Sequence, residues 1–261
     1  MPPPPSQHTY LRFAYIALFL FSLFAMTACA SSSKEKDKAL KLSKYHYDLG
    51  VGFFSEQQIP LSIRELMLSV DANPDNPDAH HLLGFIYMGR RNYPTAIKHF
   101  KQGIALRDNF YICLNNLGAA YLAAERWEDA VALYEELTDK PTYNTPELAY
   151  NNLGWALHKL GRYKRANEAF EMATFLKPQL CLAYNNLGLN SIKQQNAIGA
   201  TRAFKKAIKY CPTFVEPHFH IAQLMRVRNN PRAREFYQRC FELAAETKWG
   251  DRCRSYLEVL Q

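Results

Sequence analysis

The chain has 261 residues, 48% of them hydrophobic and 21% charged, with a formal charge of +8. That is enough apolar content to bury a core and too little charge for a disordered polyelectrolyte. The basic balance favours acidic partners or anionic lipid, but no stripe of basic residues interleaved with stacking aromatics marks a nucleic-acid surface.

The first stretch, MPPPPSQHTYLR, is polar and carries one firm positive charge, Arg12. Phe13 to Met26 follows, an apolar run of 14 residues broken only by Ser22. A bilayer span takes roughly 20 residues. The shorter run fits the apolar core of a secretory leader. Met26-Thr27-Ala28-Cys29 comes next, and then Ala30 and three serines. A cysteine after small residues at the end of a leader resembles the bacterial lipoprotein box, with Met26 where that box usually has Leu. The resemblance implies that residues 1–28 are removed and that Cys29 carries the lipid. Several acyl chains, at roughly 0.8 kcal/mol per buried CH₂, would hold such a protein on a membrane almost irreversibly. Ala30 after the cysteine, by the same resemblance, implies the outer membrane of a Gram-negative cell, on its periplasmic side. Residues 29–42 then read as a lipidated cysteine and polar tether running into a helix.

From residue 43 the chain is periodic. Leu-Gly pairs end at Gly50, Gly84, Gly118, Gly154 and Gly188, in steps of 34, 34, 36 and 34, and a further 34 lands on Ala222. Twelve residues after each glycine stands a small residue: Ser62, Ala96, Ala130, Ala166 or Ala200. Four further on is a large one: Leu66, Phe100, Tyr134, Phe170 or Phe204. Glycine in one helix lets a neighbour approach closely, despite costing roughly 1 kcal/mol against alanine. The large residue fills the space between the two helices. This pattern resembles the tetratricopeptide repeat, a helix–turn–helix of 34 residues.

The resemblance implies an all-α fold, a right-handed superhelix (α-solenoid) of about six repeats. They are placed at 43–76, 77–110, 111–144, 147–180, 181–214 and 215–247, with a capping helix over 249–261. Two extra residues at 145–146, Pro141 and Leu137 predict that the second helix of the third repeat ends early. The sixth repeat is degenerate, with Ala233 one residue early and Tyr237 following the shift.

Three central repeats carry an amide pair: Asn115 and Asn116, Asn151 and Asn152, Asn185 and Asn186. Asparagine is a mediocre helix former, so its recurrence needs a reason. In this family the first helix lines the concave face, and an amide can both donate to and accept from a peptide backbone. Stacked repeats are expected to carry Asn116, Asn152 and Asn186 up the groove as a ladder, similar to those that grip extended peptides in related superhelices, while the second amide also recurs in generic repeats. Apolar neighbours would line the same groove: Ile112, Leu148 and Leu182 at the second position, Phe85, Trp155 and Leu189 at the ninth, and Met88 at the twelfth. Amides for the backbone and apolar anchors suit a peptide or an amphipathic helix.

Besides Cys29 there are five cysteines. Cys181 starts the first helix of the fifth repeat and Cys211 ends the second. Antiparallel helices put those ends side by side, so a bridge is expected in an oxidising compartment, and likewise between Cys240 and Cys253. Cys113 would remain unpaired. The alternative is five buried thiols.

No CxxC, HExxH, Walker loop or GxSxG elbow is present, and the repeats leave no room for a catalytic domain. The chain is therefore expected to be no enzyme and to need no cofactor, metal or small-molecule substrate. A secreted, lipidated chain of six repeats, with YNTPELAYNNLGWALHKLGRYKRANEAF at residues 143–170, resembles the type IV pilus pilotins. These carry a similar short insertion with Thr-Pro before a repeat with Asn-Leu-Gly. That resemblance implies a protein partner, an outer-membrane secretin, and a role in localising and assembling it for pilus biogenesis and surface motility. The alternative within the same fold is a general envelope adaptor for cell-wall enzymes.

Overall fold

The computed structural model describes residues 34–260. The leader, Cys29 and the start of the tether lie outside them. The described residues form thirteen helices: α1 over 34–55, α2 Ile59–Ala72, α3 Pro77–Gly89, α4 Tyr93–Leu106, α5 Tyr111–Ala123, α6 Trp127–Thr138, α7 Pro146–Lys159, α8 Tyr163–Leu176, α9 Cys181–Lys193, α10 Ala197–Tyr210, α11 Val215–Arg226, α12 Ala233–Ala244 and α13 Lys248–Val259.

Odd-numbered helices from α1 to α11 are the first helices of helix pairs, and even-numbered ones the second. Each pair is held by a close approach. A Cβ added at Gly118 would lie 2.5 Å from the ring of Tyr134, and one at Gly154 would lie 2.7 Å from the ring of Phe170. The small residues Ser62, Ala96, Ala130, Ala166 and Ala200 and the large ones Leu66, Phe100, Tyr134, Phe170 and Phe204 are all fully buried. In the last pair Ala222 replaces the glycine, and Ala233 and Tyr237 supply the buried small and large residues.

The turns repeat as faithfully as the helices. Between the members of each pair one residue has positive φ: Gln57 at 62°, Arg91 at 60°, Glu125 at 56°, Gly161 at 74°, Gln195 at 60° and Asn229 at 52°. Only one of these is glycine. The backbone therefore adopts the left-handed region at five non-glycine residues, which costs L side chains about 1–2 kcal/mol each. Helix starts are fixed by side-chain caps on some second helices, with Asn92 accepting from Thr95 N–H and Asn196 from Gly199 N–H.

Helix α6 has 12 residues, against 14 in α4, α8 and α10. Leu137 is buried where Gly103, Ala173 and Ala207 stand in neighbouring pairs. A larger side chain there keeps the next helix at a distance, and the chain uses an irregular connection before Pro146 opens α7. Buried Tyr143 pins that connection, its ring 5.7 Å from Tyr111.

Consecutive first helices touch: α3 with α5, α5 with α7, α7 with α9. No pair of consecutive second helices packs to a comparable extent. The first helices therefore line the inner surface of a superhelix and the second helices its outer surface. At the carboxyl end α13 closes the stack with aromatic contacts, Phe219 against Trp249 at 5.3 Å and Tyr237 stacked on Tyr256 at 5.0 Å.

Candidate binding surface

The inner surface carries a row of exposed apolar residues. Ile112, Leu148 and Leu182 occupy the same place at the start of α5, α7 and α9, and are 59%, 38% and 46% exposed. Position alone explains the row: each sits one residue before a fully buried Cys113, Ala149 or Ala183, so its own side chain turns outward. Phe85 is also exposed and meets Phe54 edge-on at 5.9 Å. Met88, Trp155 and Leu189 are half-buried, each with one side packed on core residues.

Trp155 is the best-supported of these. Its indole stacks on the His158 imidazole with centroids 5.3 Å apart and planes 10° from parallel. The Lys159 ammonium lies 4.8 Å from the Trp155 ring and 5.7 Å from that of Trp127. His158 Nδ1 donates to Asn190 Oδ1 at 2.9 Å, and the Asn190 amide donates in turn to Tyr163 O and Asn167 Oδ1. Asn190 Oδ1 can only accept, so His158 carries a proton on Nδ1, and burial lowers the pKa of the ring. The ring platform is therefore held rigid by groups from α8 and α9. Nothing in the spacing singled out His158 or its partner Asn190.

The expected ladder of Asn116, Asn152 and Asn186 is corrected at one rung: Asn186 is buried, while Asn116 and Asn152 are half-buried. Asn151, Asn185 and Asn186 are buried. Asn186 Nδ2 donates to Asn151 Oδ1 of the preceding repeat at 2.9 Å. Asn152 Nδ2 donates to the Tyr134 hydroxyl at 3.0 Å, and Asn116 Nδ2 to His81 Nε2 at 2.9 Å. Asn185 Nδ2 reaches Glu216 of the following repeat at 2.9 Å. Asn115 accepts from the Tyr143 hydroxyl at 3.5 Å. The physical reason is that burying an unpaired amide is costly, so these amides find partners across the seams between helices, with Asn185 Oδ1 alone among them buried and unpartnered. Their recurrence sets repeat-to-repeat register. Half-buried Asn115, Asn116 and Asn152 keep some exposure to the groove.

Charge pairs brace the helices both between and within repeats. Arg162, capping the start of α8, makes a two-pronged pair with Glu128 of α6 at 2.7 and 2.9 Å, and Arg107 at the end of α4 reaches Asp78 of α3 in its own pair. Two disulfides stiffen the carboxyl half. Cys181–Cys211 joins the start of α9 to the end of α10, with Cα atoms 6.0 Å apart, and Cys240–Cys253 joins α12 to α13 at 6.1 Å. Cys113 is free and buried, its thiol pushed up to about 12 by burial. Among the described residues no group of three or more His, Cys, Asp or Glu could hold a metal ion, and no helix is long and apolar enough to cross a membrane.

Against known proteins, residues 115–180 match the family model of the tetratricopeptide repeat. Over 150 residues the chain is 24% identical to a UDP-N-acetylglucosamine–peptide N-acetylglucosaminyltransferase of Giardia intestinalis. That match covers 53% of this chain and only 10% of the enzyme. Over 160 residues it is 22% identical to the type IV pilus assembly protein PilF of Pseudomonas aeruginosa, covering 59% of this chain and 64% of PilF. The chain thus spans less than two thirds of the length of these curated relatives in the matched stretches. The solved structure of PilW, a type IV pilus biogenesis factor, superposes with a TM-score of 0.70 at 18% identity, over 80% of this chain and 96% of PilW. That of Pseudomonas aeruginosa PilF superposes with a TM-score of 0.67 at 16% identity, over 85% of this chain and 99% of PilF. The described chain is a tetratricopeptide-repeat superhelix, and its fold is that of PilW and PilF.

Proposed function

We propose that this protein is a non-catalytic adaptor of the pilotin kind, which binds secretin subunits and promotes their localisation and assembly in the outer membrane for type IV pilus biogenesis. In this reading Cys29 carries the lipid anchor, and the inner surface receives a segment of the secretin. The observation that carries it is the length of the likeness: the superhelix runs alongside nearly the whole of two pilus proteins, not one repeat pair among many. The exposed row of Ile112, Leu148 and Leu182 supports a peptide partner.

The row also constrains that partner. Neighbouring helices lie about 8–10 Å apart. An extended chain of the polyproline II type, with three residues per turn and about 3.1 Å per residue, would offer an apolar side chain at every third position. A helix rising 1.5 Å per residue would offer one about every seventh. Binding of this kind makes and breaks no bond. It holds a partner at a membrane and raises its local concentration.

The test is purification of the tagged protein from outer membranes after crosslinking in cells. Secretin subunits in the crosslinked material are expected. Cell-wall hydrolases or synthases with no secretin would replace the pilotin reading by that of a general envelope adaptor. Loss of palmitate labelling in Cys29→Ser is the companion expectation, and labelling that persisted would remove the lipid from the account.

A further inference from the structure

The outer surface is unevenly charged. Helix α6 carries four carboxylates and no cation, yet every one is matched: Glu128 by Arg162, Asp129 by Arg126, Glu135 by Arg165 and Glu136 by Lys140. Helix α10 is the reverse. It carries Arg202, Lys205, Lys206 and Lys209 and no carboxylate. All four are exposed, and among the described residues none has an acidic side chain within ion-pairing distance. Their spacing of three and four puts them on one face of the helix. The Lys206 ammonium lies 5.2 Å from the centre of the Tyr184 ring and that of Lys209 5.7 Å from that of Tyr210, so these two rest over aromatic faces and have no carboxylate partner.

Apolar side chains protrude from the same surface. Phe175 at the end of α8 is 78% exposed, Met172 and Leu176 of the same helix are exposed, and so is Ile198 at the start of α10. Helix α8 also adds two unmatched carboxylates, Glu168 and Glu171. Glu171 shares with Arg202 and Lys206 the lining of a cleft of about 300 Å³ between α8 and α10. Four cations without a carboxylate partner against two carboxylates without a cation partner leave this surface positive.

We propose that the α8–α10 outer surface lies on an anionic phospholipid membrane. Charge complementarity requires an anionic partner. The shape favours lipid over an acidic protein. Unpaired cations and exposed apolar side chains share two neighbouring outer helices, and such a surface meets a flat, deformable partner that offers headgroups and hydrocarbon together. Lysine and arginine stems reach headgroups while their methylenes stay apolar. The inner surface then faces away from the membrane, open to a partner. The inference does not depend on the partner's identity or on acylation of Cys29.

The test is flotation of the full chain with vesicles of phosphatidylcholine alone or with phosphatidylglycerol mixed in. The apolar run at residues 13–26 is common to every variant, so only the difference between the two vesicle types is read. The expected preference for anionic vesicles is at least about tenfold and at most several hundred-fold for four cations, falling as salt rises. R202Q/K205Q/K206Q/K209Q should abolish it. K98Q/K101Q/R232Q/R234Q removes the same charge elsewhere and should retain it. F175S should weaken binding to both vesicle types without changing the salt dependence. Equal binding to neutral and anionic vesicles, or equal loss in both four-fold variants, would overturn the proposal. So would capture of polyglutamate without capture of anionic vesicles, which would point to an acidic protein instead.

Discussion

Asn186→Ala separates the two roles open to the central amides. Asn186 is 7% exposed, and its Nδ2 donates to Asn151 Oδ1 at 2.9 Å, with Asn151 buried in turn. Removing the donor leaves Asn151 Oδ1 buried without that partner, which costs about 1–3 kcal/mol. The loss should concentrate at the seam between α7 and α9. Hydrogen exchange should show faster opening of those two helices, with protection at α3 and α4 unchanged, because a repeat array is coupled to its neighbours only. Asn116→Ala should cost less, about 1 kcal/mol, since Asn116 and its partner His81 are only half-buried. If exchange in Asn186→Ala matched the parent while partner binding was lost, the amide would be a ligand contact and the seam argument would be wrong.

Gly118→Ala should destabilise by about 1–3 kcal/mol in denaturant unfolding, because the new methyl meets the Tyr134 ring. The hydroxyl of that ring is held by Asn152 and by Asn115 O, so it has no room to swing aside. A neutral result would mean that the helix pair is looser than drawn. Glu125→Gly should stabilise by up to about 1 kcal/mol, since Glu125 sits at φ 56° with an exposed side chain, where only the left-handed strain is relieved. A loss of stability would show that this side chain does more than turn the chain.

Reducing Cys181–Cys211, which spans 30 residues, should weaken the fifth repeat by about 3–4 kcal/mol on the chain-entropy account, and limited proteolysis should then cut near α9 and α10 first. Stability should also fall on acidification. Burial lowers the pKa of His80, His81, His158 and His218, and takes His99 and His220 to about 4. The unfolded chain therefore binds more protons than the folded one below about pH 6.5, and stability present above that value is lost as pH falls toward 4. His99 is the clearest contributor. It shares an Nδ1–Nδ1 hydrogen bond of 3.1 Å with His80, whose Nε2 donates to Pro74 O, so His80 Nδ1 must accept and His99 must donate. His99→Gln should flatten the pH dependence measured by denaturant titration between pH 7 and 5. An unchanged slope would show that His99 is protonated without cost.

The helix pairs were legible in the sequence because close approach leaves few choices of residue. Gly84, Gly118, Gly154 and Gly188 each face an aromatic ring across the pair, and no side chain larger than hydrogen fits without shifting it. The turns were not legible, because Arg91, Glu125 and Gln195 adopt positive φ without the glycine that would have signalled it. The amides were misread for a different reason. A recurring Asn reads the same whether its partner is a ligand or the next repeat, and His81, Tyr134 and Asn190 stand at unremarkable positions in the string. The inner apolar row was readable from Ile112, Leu148 and Leu182, because small buried residues beside them fix which way they turn. The contrast between α6 and α10 was readable only as composition. Matching carboxylates to arginines one repeat away requires the superhelix itself.

Site-specific photocrosslinking tests the central claim most directly. A photoreactive residue placed in turn at Ile112, Leu148 and Leu182, with Gln102 on the outer surface of α4 as control, should capture the same protein from all three inner positions and not from the control. Capture of a secretin segment, with apolar residues at a spacing that fits the row, is the predicted result. Capture from the control alone, or of unrelated proteins at each inner position, would contradict a peptide-binding inner surface.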